Sequence, residues 1–131
     1  MGKGVDFLKE AGIYFIATSD NGQPQLRPFG SNLEYNGRFY FSMGRSKDVF
    51  KQMVANPKIS IAAIKPNMDW IRIVGEAVLD ESQDVKDHLL ANNERIREIY
   101  KDNPGELSMF YIEKATCTVI EGGKPPAKVD L

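Results

Sequence analysis

The spacing of apolar residues along the chain changes period several times. From Val5 to Ala11, Val5, Phe7 and Leu8 are set among Asp6, Lys9 and Glu10, which predicts a short amphipathic helix ended by Gly12. Ile13 to Thr18 is β-branched and aromatic, a strand by composition. Asp20-Asn21-Gly22 reads as a hairpin turn, because Asn-Gly readily adopts the positive φ angles of a tight turn. Extended structure resumes from Gln23 to Leu33, where Pro24 and Pro28 mark an edge or a bulge. Asn36-Gly37 is a second hairpin signal, followed by a strand over Arg38 to Ser42. These first strands are expected to form an antiparallel meander.

The period then becomes helical. Val49, Phe50, Met53 and Val54 recur at helical spacing, with Ser46 as the expected N-cap and Asn56-Pro57 as the stop. Lys58 to Ile64 alternates as a strand, and Trp70 to Leu79 is a longer one that Gly75 interrupts, predicting a bend or bulge. Ser82 caps another helix, carrying Val85, Leu89 and Leu90, and Ile96, Ile99 and Tyr100 continue the helical period. After the turn at Asn103-Pro104-Gly105, Leu107 to Ile112 and Ala115 to Ile120 read as two final strands. The tail from about residue 122, Gly-Gly-Lys-Pro-Pro, is expected to be irregular. Short strands with inserted helices predict an α+β, mostly β chain built as one domain over residues 1–131 on an antiparallel barrel with short flanking helices. There is no Gly-x-Gly-x-x-Gly fingerprint and no strand–helix–strand regularity.

Composition narrows the chemistry. Seventeen Lys and Arg against eighteen Asp and Glu give a net charge of −1, which argues against nucleic-acid binding through gross charge. The single Cys (Cys117) excludes an intrachain disulfide, and with the single His (His88) it cannot supply the usual ligands of a structural zinc site. Cys117 alternates with Thr116 and Thr118 as a buried small side chain would, and His88 lies on the polar side of its helix. Neither reads as catalytic, and no catalytic residue is assigned. No apolar run approaches the ~20 residues needed to span a bilayer. The first residues lack a signal-peptide core, which with the unpaired thiol points to the cytoplasm. Redox or group-transfer chemistry would have to be borrowed from a cofactor.

Three segments can carry such a cofactor. Gly44-Arg45-Ser46-Lys47 stands where a strand hands over to a helix, combining a flexible backbone, a hydroxyl and two cations with free helix N–H groups. That set suits a phosphate, although a capped helix on a solvated surface would use the same residues. Arg27-Pro28-Phe29-Gly30 places a cation among apolar neighbours in a strand, aimed either at that helix start or at a carboxylate of the chain. Trp70, Arg72, Val74 and Glu76 share one strand face, where Trp70 serves as core, interface or ligand contact.

In their order, Arg27-Pro28-Phe29-Gly30, Phe39-Tyr40-Phe41-Ser42, Gly44-Arg45-Ser46-Lys47, Asn56-Pro57-Lys58-Ile59 and Trp70-Ile71-Arg72-Ile73-Val74-Gly75-Glu76-Ala77 resemble the pyridoxamine 5′-phosphate oxidase-like flavin-binding split-barrel proteins. The nitroimidazole-resistance-related and general-stress-related branches are the most similar, and the resemblance runs from about Phe7 to about Ile120. It implies an antiparallel split barrel that forms a homodimer with FMN between the subunits. By the same match, Arg27 and Lys47 are the phosphate cations, with Arg45 beside them and Ser42 and Ser46 as hydroxyl donors. Pro28, Phe29 and Gly30 run along the isoalloxazine, Phe41 is a further cofactor-binding residue, and Trp70 meets the flavin, from the partner subunit if the site is shared. The chain departs from the oxidase itself: it has no Trp or Arg after Arg97, where that enzyme holds pyridoxal phosphate, so vitamin B6 oxidation is not expected. The expected function is a flavin-dependent oxidoreductase or flavin reductase acting on a small molecule. The alternatives are a non-catalytic flavin- or nucleotide-binding module with a storage, sensing or stress-related role, a haem protein relying on His88, and a single-stranded nucleic-acid binder.

Overall fold

A computed structural model of residues 1–131 shows helix α1 (Lys3–Ala11), then strands β1 (Tyr14–Asp20), β2 (Gln23–Phe29), β3 (Leu33–Tyr35) and β4 (Arg38–Gly44). Helix α2 (Asp48–Ala55) leads to β5 (Lys58–Ile64) and β6 (Trp70–Asp80). Helices α3 (Gln83–Asn92) and α4 (Glu94–Tyr100) and a 3-10 turn at Pro104–Glu106 precede β7 (Leu107–Ile120) and β8 (Ala127–Val129). All strand pairs are antiparallel, in the order β2-β1-β5-β6-β7-β4-β3, with β8 against the far half of β7. The end strands β2 and β3 do not pair with each other, so the sheet stays open, as in a split barrel.

Both local hairpins form as their sequences predict. Asn21 and Gly22 have φ of 50° and 90°, and Asn36 and Gly37 have 52° and 71°. The expected meander does not form. Strand β2 pairs only with β1, and β4 pairs with β3 and with the distant β7. The cause is two-sided burial of β4: Phe39, Phe41 and Met43 enter the main core, while Tyr40 faces the other way. A strand buried on both faces belongs inside the sheet, away from its edge.

The main core lies between one face of the sheet and the helices α1 and α2, with Tyr14, Ile16, Phe41, Ile61, Ile73 and Phe110 essentially inaccessible. A smaller core lies between the outer face of β4 and β7 and the α3–α4 pair, through Tyr40, Val85, Leu89, Ile96 and Met109. Helices α3 and α4 are thereby fixed beside the ends of β2 and β4.

Gly75 makes the predicted bulge, with a register shift between Val74 and Glu76. A Cβ there would lie 2.8 Å from the Glu113 carbonyl oxygen, so only glycine fits this approach of β6 to β7. Across from it Lys114 takes φ 53°, which explains why Leu107–Ile112 and Ala115–Ile120 read as two strands; they are one bent strand, β7. Ser46 is not the cap of α2, which starts one residue later, after Lys47, because the Ser46 amide and hydroxyl are both given to Glu106.

The tail is more ordered than its composition suggests. Residues Ala127–Val129 pair with Cys117–Val119 as β8. Just beyond, the Asp130 and Leu131 carbonyls accept hydrogen bonds from Gly4 N–H (2.8 Å) and Val5 N–H (2.7 Å), satisfying donors at the start of α1 that the helix itself leaves free. No helix is long and apolar enough to cross a membrane.

Candidate functional site

The end of β2, the end of β4, the start of α2 and the α3–α4 corner surround a cleft of about 510 Å³. Arg27, Pro28, Phe29, Gly30 and Ser31 form one side, and Ser42, Met43 and Gly44 form the next. Lys47 and Val49 close the α2 end, and Asn93, Arg95, Ile96, Ile99 and Tyr100 form the helical wall. Three side chains in this lining are basic and none is acidic, in a chain whose net charge is −1. None of Arg27, Lys47 and Arg95 is among the ion-paired residues. A concave site with unneutralised cations favours an anionic ligand.

The lining is held in shape by hydrogen bonds. Tyr14 O–H donates to the Ser31 carbonyl, and burial holds this phenol far above its ordinary pKa, so it stays a donor. Ser42 donates to Ser31 Oγ through both its amide (3.2 Å) and its hydroxyl (3.0 Å). Together these bonds tie the backbone after β2 to β4. Phe29 packs edge-on against Phe41, with ring centroids 5.9 Å apart; Phe41, expected to touch the cofactor, is fully buried and does not line the cleft, but supports its floor from the core. Arg27 sits on the inward face of β2, opposite Ile16, and its guanidinium reaches the Ile16 carbonyl, Thr18 and Gln52. Partial burial lowers its pKa, yet a guanidinium remains protonated in proteins.

The structure thus brings Arg27, Pro28, Phe29, Gly30, Ser42 and Lys47 to one cleft. Arg45 and Ser46 turn away from it. Arg45 pairs with Glu81 and lies over the Phe50 ring, and Ser46 donates to the Glu106 carboxylate through its hydroxyl and, at 2.9 Å, its amide. That carboxylate takes the anion position that the Gly44-Arg45-Ser46-Lys47 segment offers. Glu106 lies sixty residues away in sequence, and no local pattern marks it as a partner.

Trp70 lies elsewhere, on the outer sheet face. There Phe15, Ala62, Ala63, Ile64, Met68 and Trp70 line a depression of about 360 Å³. The register sets Phe15 beside Ala62 and Ile64 beside Trp70 on that face. Phe15, Ile64 and Met68 are 41%, 51% and 72% exposed, and Leu26 and Val74 add to the same apolar face. His88 is exposed on α3, where its ring lies 4.6 Å from that of Tyr35 and tilted 34° to it, outside the cleft. Cys117 is buried.

The helical wall escaped sequence reasoning. Arg95 and Ile99 have the four-residue spacing of one helix face, a signal that α4 presents a side to something, but nothing local points that side at β2. Ser31 carries no sequence signal at all.

Comparison with known proteins agrees with this architecture. The chain is similar to the crystal structure of a NimC/NimA family protein from Clostridium acetobutylicum, at 32% identity and a TM-score of 0.90, covering 95% of this chain and 87% of that one. A pyridoxamine 5′-phosphate oxidase-related, FMN-binding protein from Nostoc punctiforme shares the fold at 17% identity and a TM-score of 0.71, over 94% of this chain and 82% of that one. The haem storage protein HutZ from Vibrio cholerae shares it at 16% identity and a TM-score of 0.66, over 83% and 85%. No protein of curated function matches the sequence. The sequence profile of the pyridoxamine 5′-phosphate oxidase family matches residues 2–121, and the chain belongs to that family.

Proposed function

We propose that the cleft binds FMN and that the protein is a flavin-dependent oxidoreductase or flavin reductase acting on a small molecule in the cytoplasm. The observation that carries this reading is the cleft lining, with three unpaired basic side chains, no acidic one, and a backbone run from Pro28 to Ser31 beside the Phe29 ring. Arg27 and Lys47 hold the phosphate; Ser42, expected as a hydroxyl donor to it, gives its hydroxyl to Ser31 and so shapes the backbone beside the phosphate. The main chain at Pro28 to Gly30, which lines the cleft, meets the polar edge of the ring system. Flavin chemistry, when the cofactor is bound, is electron transfer at the isoalloxazine, and this chain supplies position and electrostatics. FMN binding by the Nostoc relative supports the same assignment.

The outer sheet face supports a homodimer. An apolar face centred on Phe15, Ile64, Met68 and Trp70 is costly to leave in water, and a second copy of the chain would cover it. A flavin near that interface would meet Trp70 from the second copy, which gives this residue its place in the site.

The description of HutZ as a haem storage protein raises the second reading. The only histidine of this chain is outside the cleft, so a haem there would lack a histidine ligand. The absorption spectrum of purified protein, with mass analysis of what co-purifies, separates the two: flavin bands support the proposal, and a Soret band or failure to take up added FMN refutes it. Lys47→Ala and Arg27→Ala are each expected to weaken FMN roughly ten-fold or more, the usual scale for a hydrogen bond to a charged group. Bleaching on anaerobic mixing with a reduced nicotinamide distinguishes an enzyme from a storage module.

A further inference from the structure

We propose that Thr18 and Gln52 form an uncharged cradle that positions the Arg27 guanidinium and leaves its charge free for a phosphate, so that this cradle makes the protein discriminate FMN from riboflavin. The inference rests on the FMN reading above and adds residues outside the cleft lining.

The geometry is specific. Arg27 Nη1 donates to the Ile16 carbonyl at 3.1 Å and to Thr18 Oγ1 at 2.8 Å, and Nη2 donates to Gln52 Oε1 at 2.9 Å. Thr18 spends its one hydroxyl proton on Gln52 Oε1, at 2.5 Å, which turns its lone pairs toward the arginine. Thr18 is 4% exposed, so its orientation is set by these bonds rather than by water. Three of the five guanidinium N–H groups are thus used. The two left are Nε–H and the second Nη2–H, which share one edge of the fork. That edge carries two parallel N–H groups, one of the two ways an arginine can grip a phosphate with a bidentate bond.

Charge makes the argument stronger. All three acceptors are neutral. Arg45, outside the cleft lining, is instead neutralised by Glu81. A carboxylate at position 52 would match the shape of Gln52 and accept the same bonds, yet it would cancel the positive charge. Gln52 lies on α2, whose first turn follows Lys47, so one helix places a cation directly and grips the other through an amide.

The test compares FMN and riboflavin affinities, by quenching of flavin fluorescence, in the full-length protein freed of flavin. The two ligands share the ring system and differ in the phosphate. Gln52→Glu is expected to weaken FMN roughly ten-fold or more while riboflavin stays within about two-fold and the melting temperature does not fall. Gln52→Met removes the acceptor without adding charge; it should lower the FMN-to-riboflavin preference in the same direction by less, and it serves if Gln52→Glu does not fold. Unchanged FMN affinity in both variants, or equal loss of both ligands, overturns the cradle. If the unmodified protein shows no preference for FMN, or keeps it in Arg27→Ala, the phosphate site itself is wrong and the cradle falls with it. The two failures are therefore read from different proteins.

Discussion

Gly75→Ala tests whether the bulge shapes the sheet or merely sits in it. The new Cβ would meet the Glu113 carbonyl oxygen at 2.8 Å and the Ile112 side chain at 2.8 and 2.9 Å. Ile112 can change rotamer, but Glu113 is backbone, and it belongs to the bend where Lys114 takes φ 53°. Relief therefore requires β6 and β7 to separate locally. Overpacking of this kind costs about 1–3 kcal/mol. For a chain of this length each kcal/mol lowers Tm by about 4 °C, so a drop of about 4–12 °C is expected. The urea midpoint should shift with an unchanged m-value, because the surface exposed on unfolding is the same. Gly122→Ala is the control: nothing lies within 4 Å of its Cβ and its φ is not positive, so a change within about 0.5 kcal/mol is expected. A Gly75→Ala melting temperature within about 1 °C of the unmodified protein would show that the strands yield freely, and would refute the close-approach argument.

Two further predictions concern charge and assembly. Burial works to raise the Asp80 pKa, but hydrogen bonds from Ser82 and Tyr40 outweigh it and hold the carboxyl below its ordinary value. A depressed carboxylate stabilises the fold above its unfolded pKa and loses that contribution as pH falls through the folded one, so Asp80→Asn should lower Tm at neutral pH by an amount that shrinks below about pH 4. A gap of equal size at acidic and neutral pH would contradict this. Ile64→Glu places a charge in the apolar outer face and should shift the sedimenting species from dimer to monomer, whereas an unmodified protein that is already monomeric would remove the dimer reading.

Local chemistry made parts of this fold legible. Strand β5 is found at Lys58–Ile64 as read, because Pro57 bounds it and burial alternates along it. The Gly75 bulge and both Asn-Gly turns were visible because each depends on one residue's conformational freedom. Partners distant in sequence were not legible. Nothing near β4 says that it pairs with β7, and nothing in Gly44-Arg45-Ser46-Lys47 shows that Glu106 takes the anion position there. For the same reason the candidate site was readable on its strand side, through Arg27 to Gly30 and Lys47, and hidden on its helical side at Asn93 to Tyr100. Arg27 itself was visible as a cation needing a partner; that its partners would be uncharged was not.

The hydrogen bonds from Gly4 and Val5 to the Asp130 and Leu131 carbonyls make the first helix wait for residues made much later. At about 5–20 residues per second, those acceptors are synthesised roughly 6–25 s after the helix that needs them. During that interval α1 can collapse onto the core through Val5, Phe7 and Leu8, but its leading amides must rely on water. Amide exchange at Gly4 and Val5 in the finished protein should then follow the docking of β8 rather than the fraying of α1. The start of α1 and the segment after β8 would open as one cooperative unit.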